Sequence, residues 1–300
     1  MHKVYNIFIF SFLLCSPLFD FFHFFSLCLL TDEKIYYIIK VVIMSELFVF
    51  GNFSEEDIAG LFGREHILYI IFTFLSVGLL LFLSRRVTRR GFLIIHTVLA
   101  ILLTILEVGK IVLNILARSP IDNWIPFYFC GLFNFALWFL FSKRAWLKKA
   151  GYAYITMGGI LAGVFFTFYP STSLARYPAL HPASLHAALF HGAMIYFGLL
   201  ILMRGFYLPR GEDLKYYFSF ISAASLISLP INHYFGANCM FLRDPFGLPL
   251  LSSLAEHLPP LYIITVWLAQ AFILFKISIS IYNLTGKAKT NAFSNRQKHL

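Results

Sequence analysis

Seven nearly continuous apolar runs of about 20 residues each constrain this chain more than any other feature of its sequence. A run of that length is what an α-helix needs to cross the hydrocarbon core of a bilayer. The runs lack the apolar–polar alternation of membrane β-barrel strands, and a helix satisfies its backbone polar groups within one segment. The sequence therefore predicts an all-α fold, a polytopic transmembrane helix bundle with seven core helices near residues 66–84, 92–116, 124–142, 151–170, 184–204, 216–236 and 259–282.

The composition and the N-terminal region fit the same class. Apolar residues make up 59% of the chain and charged residues 13%, whereas soluble domains carry about 25% charged residues. Residues 1–43 have three interpretations: an extra N-terminal helix, which we favour, a signal-like segment, or an upstream extension of a reading frame that starts at Met44. We predict a seven-helix membrane domain over 44–283 and a basic cytoplasmic tail over 284–300.

Basic residues are concentrated in alternate predicted loops. Clusters of Arg and Lys follow the first, third, fifth and seventh core helices, whereas the loops between them carry the single residues Arg118, Arg176 and Arg243. The positive-inside rule then predicts a multi-pass protein of the cell membrane with the core N-terminus outside and the C-terminus in the cytoplasm. The net charge of +10 is explained by these loops and indicates no nucleic-acid partner. Membrane lipid is the predicted partner, and the oligomeric state is left open.

The second predicted helix carries three polar residues, Glu107, Lys110 and Asn114. Spacings of three and four residues place them on one helical face, and Glu107 and Lys110 can pair directly. Ionisable groups are costly in hydrocarbon, so they normally face the bundle interior and often mark a site. A clamp between helices remains an equal alternative. We predict that Glu107 and Lys110 bind substrate.

A thiol and an imidazole lie at similar depths in the third and fifth predicted helices. Cys130 is about 9 Å from the outer end of its helix, at 1.5 Å per residue, and His191 lies about seven residues into its own. Each alone has a structural interpretation, as an inert small residue or a packing residue. Steps of five residues keep His181, His186 and His191 off a common face, so no metal site and no cofactor is predicted.

Pro230 breaks or kinks the sixth predicted helix, and Asn232 and Asn238 follow it at the outer end. Their carboxamides are candidate donors to a substrate carbonyl or headgroup, and an ordinary capped helix end is the alternative. The helices alternate in direction, so six polar residues fall in the outer half of the bilayer. This shared depth predicts one outward-facing pocket formed by Glu107, Lys110, Cys130, His191, Asn232 and Asn238.

Four motifs carry a family resemblance: Phe62-Gly-Arg-Glu-His66, Ile125-Pro-Phe-Tyr-Phe-Cys130, Phe190-His-Gly-Ala193, and Gly236-Ala-Asn-Cys-Met-Phe-Leu242 with Pro245. Their order and spacing over some 230 residues resemble the YwaF family of bacterial integral membrane proteins, which is related to the eukaryotic transmembrane-protein-164 family. The last motif departs from the family form at Cys239, where a Tyr is usual. A role for that tyrosine hydroxyl therefore does not carry over.

The resemblance implies about seven helices and, from the eukaryotic relatives, acyl transfer between phospholipids. Carried over by position, Cys130 would accept the acyl chain and His191 would be its base. Two functions stand: a membrane-embedded phospholipid acyltransferase with a Cys–His pair in an outward-facing pocket, and a non-catalytic transporter or receptor-like protein that binds a small solute. The residues alone do not establish that the chain is an enzyme.

Overall fold

The computed structural model describes residues 58–116, 121, 124–245 and 249–285, all within the compact unit Phe50–Leu300. The predictions for residues 1–43 and for almost all of the tail over 284–300 lie outside the described residues. The boundaries of the single membrane domain likewise stay a prediction.

Every described element is helical, which confirms the predicted all-α class. Six helices in the described part of the chain are long and apolar enough to cross a membrane. Two of these six spans contain a π-helical turn, Tyr154–Gly159 in one and Ala269–Ile273 in the other, and the second of these spans continues to residue 285. In chain order the α-helices are α1 (Arg64–Leu83), α2 (Arg89–Leu116), α3 (Leu132–Phe139), α4 (Ala145–Ala153), α5 (Ile160–Phe168), α6 (Pro182–Arg204), α7 (Leu214–Phe235), α8 (Pro249–His257) and α9 (Pro259–Leu268).

The segment 124–142 is shorter as a helix than the sequence predicts. Only α3 is α-helical, and turns precede it. The carbonyl oxygens of these turns bond to other parts of the bundle: that of Phe127 accepts the Met240 N–H at 3.0 Å, and that of Phe129 accepts the Tyr154 hydroxyl. Non-helical backbone is tolerated at membrane depth where protein covers it. The predicted depth of about 9 Å for Cys130 assumes a rise of 1.5 Å per residue, which holds within an α-helix and not in these turns.

The centre of the bundle is α6, which packs against α1, α5 and α2. In the most apolar 18-residue stretch of α6, 56% of the residues are buried. The corresponding share in α1 is 17%, so α1 lies at the periphery. Large apolar side chains on α1 are exposed, among them Phe72 and Leu75. A bilayer is the solvent that such a surface requires, since soluble proteins rarely expose extended apolar patches.

Two glycines bring the α4–α5 span close to α6. A Cβ on Gly163 would lie 2.9 Å from the carbonyl oxygen of His191, and a Cβ on Gly198 would lie 2.9 Å from that of Ile155. Side-chain carbons essentially never approach backbone this closely. The absence of a side chain at these two positions therefore sets the helix spacing around His191.

The basic segments meet at one end of the bundle, which we call the basic end. The guanidinium of Arg204, the last residue of α6, donates to the Val87 carbonyl between α1 and α2. On the α4 side, the Lys149 ammonium lies 5.1 Å from the Tyr216 ring of α7. These contacts bring the basic segments after the first, third and fifth predicted helices to one end of the bundle.

Candidate functional site

A buried charge cluster joins α2 and α6 away from the basic end. Glu107 Oε1 lies 2.5 Å from Lys110 Nζ, which confirms the pair that the spacing predicts. Glu107 Oε2 lies 3.4 Å from His186 Nε2, so the carboxylate interacts with one base through each oxygen. The Asn114 carboxamide donates to the Lys110 carbonyl at 2.8 Å and joins the same helical face. Whether Glu107 and Lys110 bind substrate stays a prediction.

The imidazole of His191 is held in one tautomer. Its Nδ1 lies 2.8 Å from the Ala187 carbonyl oxygen, and a carbonyl only accepts, so Nδ1 carries the proton. The Nε2 atom then bears the lone pair, and it is buried without a hydrogen-bond partner among the described residues. Phe166 of α5 stacks on the ring with centroids 3.7 Å apart. In the part of the chain that the structure describes, His191 is thus a buried base whose acceptor atom has no donor.

The charge cluster and His191 form one neighbourhood. The Phe190 ring contacts the His191 ring, with centroids 5.8 Å apart. His186 also stacks on Phe190, with ring centroids 5.7 Å apart. The helix α6 therefore contributes two histidines to one region, and α2 contributes both charged partners.

Cys130 lies in the turns that lead into α3, with a partly buried, free thiol. Its carbonyl oxygen accepts the Phe133 N–H at 3.0 Å. The Phe133 ring meets the edge of Phe190, the neighbour of His191, at a centroid distance of 6.1 Å. Cys130 and His191 are thus connected through two packed aromatic rings. In the described residues the Cys130 thiol makes no hydrogen bond to the His191 ring.

The contacts between α2 and α3 give the level of Cys130. Asn134 Nδ2 donates to the Leu103 carbonyl at 3.4 Å, and His96 Nε2 bonds to the Leu137 carbonyl at 2.9 Å. Rising numbers on α2 thus pair with falling numbers on α3, so the two helices are antiparallel. Cys130 precedes Asn134 and Glu107 follows Leu103, each by four residues. The turns that carry Cys130 therefore lie toward the same end of α2 as the charge cluster.

The two predicted substrate-binding asparagines bond to a loop of their own chain. Asn232 accepts the Cys239 N–H at 2.7 Å and donates to its carbonyl at 2.9 Å. Asn238 accepts the N–H groups of Arg243 and Asp244 and donates to the Asp244 carbonyl. These bonds favour a structural use of both carboxamides. A role in substrate binding stays a prediction.

The loop that these asparagines hold is strained and fixed at several points. Met240 and Phe241 both have φ of 54°, which is unfavourable for residues with a Cβ. Gln270 Nε2 donates to the Met240 carbonyl at 2.8 Å, and the Tyr262 hydroxyl donates to the Phe241 carbonyl at 2.6 Å. Together with the bond from Met240 to Phe127, these contacts fix the loop against the turns that carry Cys130. Such strain persists only where surrounding contacts impose it.

The sequence interpretation missed His186 as a member of the site. Its position on α6 excludes a shared metal site with His181 and His191, but that reasoning considers one helix only. Its partner Glu107 lies on another helix, and no spacing along the chain indicates that contact. Within the described residues, no three His, Cys, Asp or Glu side chains converge as metal ligands.

Fold and site together define a multi-pass helical membrane protein with a polar cluster inside its bundle. The chain matches the model of the TMEM164 family over residues 61–280, and it belongs to that family. This confirms the predicted relation to the transmembrane-protein-164 family, whereas the resemblance to YwaF-type proteins stays a prediction. No curated protein and no solved structure matches the chain.

Proposed function

We propose that the chain is a membrane-embedded phospholipid acyltransferase in which Cys130 accepts the acyl chain and His191 is the base. The observation that carries this proposal is the Nε2 atom of His191, a buried lone pair for which the described residues provide no donor. Leaving a buried acceptor unpaired costs free energy, and such an atom in a native fold calls for an explanation. A base that waits for a thiol or hydroxyl proton supplies that explanation.

The free thiol of Cys130 and family membership add support. The thiol is partly buried, and its residue lies toward the same end of α2 as Glu107. The Cys130 carbonyl accepts the N–H of Phe133, whose ring contacts Phe190 beside His191. No thiol–imidazole hydrogen bond is present in the described residues. Catalytic hydrogen bonds are often long without substrate and shorten in the reacting complex, so a rotation of the Cys130 side chain is part of the proposal.

The reaction proceeds in two balanced halves. His191 Nε2 takes the thiol proton, and the thiolate attacks the ester carbonyl of a donor phospholipid. The C–O bond breaks, a thioester forms on Cys130, and the protonated imidazole returns its proton to the lysolipid alkoxide. In the second half, the hydroxyl of an acceptor lysolipid gives its proton to His191 and attacks the thioester. The C–S bond breaks, and the thiolate recovers the proton.

We further infer an orientation in the cell membrane with the core N-terminus outside and the C-terminus in the cytoplasm. The basic end supports this inference, because basic loops remain on the cytoplasmic side. The polar cluster lies about five helical turns from Arg89, roughly 27 Å along α2. A site at that distance from the basic end is in the outer half of the bilayer, where it meets the ester groups of outer-leaflet lipids.

Trapping the thioester tests the proposal. Membranes that contain the full chain are incubated with a phospholipid whose acyl chain carries an alkyne, and the label is located by peptide mass spectrometry. We expect a label on Cys130 that neutral hydroxylamine removes, and we expect none on Cys130→Ser that hydroxylamine can remove. His191→Gln should slow labelling about 10²–10⁴-fold, the usual contribution of a general base.

Cys239→Ala is the matched control for this experiment. Cys239 is the other cysteine of the described residues, and it is fully buried. Its replacement should leave the label on Cys130 unchanged. An unlabelled Cys130 in membranes that transfer acyl chains would contradict the proposal.

The buried charge cluster favours one second candidate, a non-catalytic transporter or receptor-like protein for a small solute. Ion pairs inside a bundle often mark solute pathways. In that case Cys130→Ala retains all activity, whereas changes at Glu107 or Lys110 abolish uptake or binding.

A further inference from the structure

In the charge cluster, the two basic side chains are more exposed than the carboxylate of Glu107. The side chain of Glu107 is 7% exposed, that of His186 is 17% exposed, and that of Lys110 is 27% exposed. Each carboxylate oxygen faces one of the two bases. A molecule that enters the bundle at this level therefore meets the ammonium and the imidazole before it meets the carboxylate. This exposure pattern suits an anion.

The contact with Glu107 determines where His186 carries its protons. The Nε2 atom lies 3.4 Å from the carboxylate, an ion-pair contact and not a hydrogen bond within the described residues. A lone pair on Nε2 would repel the carboxylate, so this contact favours the tautomer with a hydrogen on Nε2. A second proton can then bind only at Nδ1. The Nε2 atom itself is buried, so the exposed part of the ring lies elsewhere on it. His186 can thus gain a positive charge while it keeps its contact with Glu107.

The charges of the cluster itself sum to zero when His186 is neutral. A phosphodiester carries one negative charge, so its entry would leave an uncompensated charge inside the bundle. Uncompensated charge in a low-dielectric interior is strongly disfavoured. One proton on His186 restores neutrality, and the phosphate would then face both a cationic Lys110 and a cationic His186.

We infer that Glu107, Lys110 and His186 form a binding site for a phosphate-type anion, which enters together with one proton that His186 takes up. The inference rests on the proposed function insofar as a phospholipid is the expected source of that phosphate. It adds a residue, His186, and a coupling between proton and substrate.

The other titratable groups near this level do not duplicate the role of His186. On α1, His66 is already bonded through both ring nitrogens, to the Phe62 N–H and to the Thr167 carbonyl. Tyr69 is the next titratable residue of α1, and it contributes no positive charge. The helix α5 carries no titratable residue. His191, on α6 itself, donates from Nδ1 to Ala187 and lies beyond direct contact with Glu107.

Binding and proton uptake are measured together by titration calorimetry. The full chain is purified in a non-ionic, phosphate-free detergent and titrated with dihexanoylphosphatidylglycerol in buffers of different ionisation enthalpy. At pH values at which His186 is neutral before binding, we expect uptake of about one proton per lipid. Over those pH values the affinity for the lipid should fall about tenfold for each unit that the pH rises. Dihexanoylglycerol, which lacks the phosphate, should bind without proton uptake. Equal proton uptake with both lipids, or none with the phospholipid, would overturn the inference.

Three variants test whether His186 binds the proton that is taken up with the lipid. His186→Gln should bind the phospholipid more weakly and independently of pH. Glu107→Gln should bind at least as tightly as the unaltered chain and also independently of pH, since Lys110 is then free to neutralise the phosphate alone. His257→Gln changes an exposed histidine outside the site and should retain the full pH dependence. A folded Glu107→Gln protein that loses binding would contradict the charge balance. If that variant does not fold, the proton count of the unaltered chain and the His186→Gln result decide.

Inorganic phosphate distinguishes the two sources of the anion. Competition by millimolar phosphate with the same proton uptake assigns the site to a free anion, and binding of the phospholipid alone assigns it to a lipid headgroup. The thioester experiment is independent of both. A labelled Cys130 with pH-independent lipid binding refutes this inference and leaves the acyltransferase proposal standing. Proton-coupled binding without a labelled Cys130 supports this inference and refutes the acyltransferase proposal.

Discussion

One substitution removes both hydrogen bonds between the Asn232 side chain and the Cys239 backbone, and its effect on the stability of the loop can be calculated. Asn232→Ala removes two hydrogen bonds, of 2.7 and 2.9 Å, from the backbone of a residue that is fully buried. A net hydrogen bond contributes about 1 kcal/mol, and each buried backbone group that loses its partner costs about 1–3 kcal/mol. Taking about 1–2 kcal/mol for each of the two groups, we expect the loop to be destabilised by about 2–4 kcal/mol.

The thiol of Cys239 reports this loop directly. It is 0% exposed, so a maleimide reaches it only when the loop opens. A loss of 2–4 kcal/mol raises the open population about 30- to 1000-fold, since about 1.4 kcal/mol is a factor of ten. Quantitative mass spectrometry of the Cys239 peptide measures the labelling rate in mild detergent, and circular dichroism checks that the bundle stays helical.

Ser219→Ala is the matched control in α7. Its hydroxyl is exposed and bonds only to the Lys215 carbonyl of the same helix, so the labelling rate should stay unchanged. Labelling of Cys239 within threefold of the unaltered chain in Asn232→Ala would show that other contacts hold the loop, and it would refute the reasoning.

Two further predictions concern α6. Gly198→Ala sets a Cβ 2.9 Å from the Ile155 carbonyl oxygen, and such overpacking costs about 1–3 kcal/mol, so the midpoint of thermal unfolding in detergent should fall. Gly78→Ala is the control, since no atom lies within 4 Å of its added Cβ, and it should not lower the midpoint. His181 Nδ1 accepts the Ala183 N–H at the start of α6, and burial lowers the pKa of His181. The unfolded chain therefore binds more protons below about pH 6.5, so stability falls as the pH falls. The midpoint should drop less between pH 7 and 5 in His181→Asn, which caps without titrating; equal drops would contradict a role for His181.

Much of the fold follows from hydrophobic length alone. Six of the seven predicted spans are long helices, because 20 apolar residues in lipid have few alternatives. The segment around α3 departs from the prediction for a tertiary reason. The Tyr154 hydroxyl and the Met240 N–H satisfy carbonyl groups that would otherwise belong to a helix, and both donors are remote in sequence.

The candidate site was predictable where its contacts are local. The pair of Glu107 and Lys110 follows from a spacing of three residues on one helix. The contact with His186 crosses from α2 to α6, and no periodicity encodes it. For Asn232 the sequence predicts a polar residue at membrane depth but not its role. Such a carboxamide can hydrogen-bond to a loop of its own chain, as Asn232 does, or to a substrate.

Comparative lipid mass spectrometry tests the central claim most directly. Cells that produce the unaltered chain, the Cys130→Ala variant or no protein are compared for the distribution of acyl chains among their phospholipids, at matched protein levels in the membrane. We predict a shift in acyl-chain distribution with the unaltered chain and, with Cys130→Ala, a profile that matches cells without the protein. The same shift with Cys130→Ala, or no shift with the unaltered chain, would contradict an acyltransferase that works through this thiol.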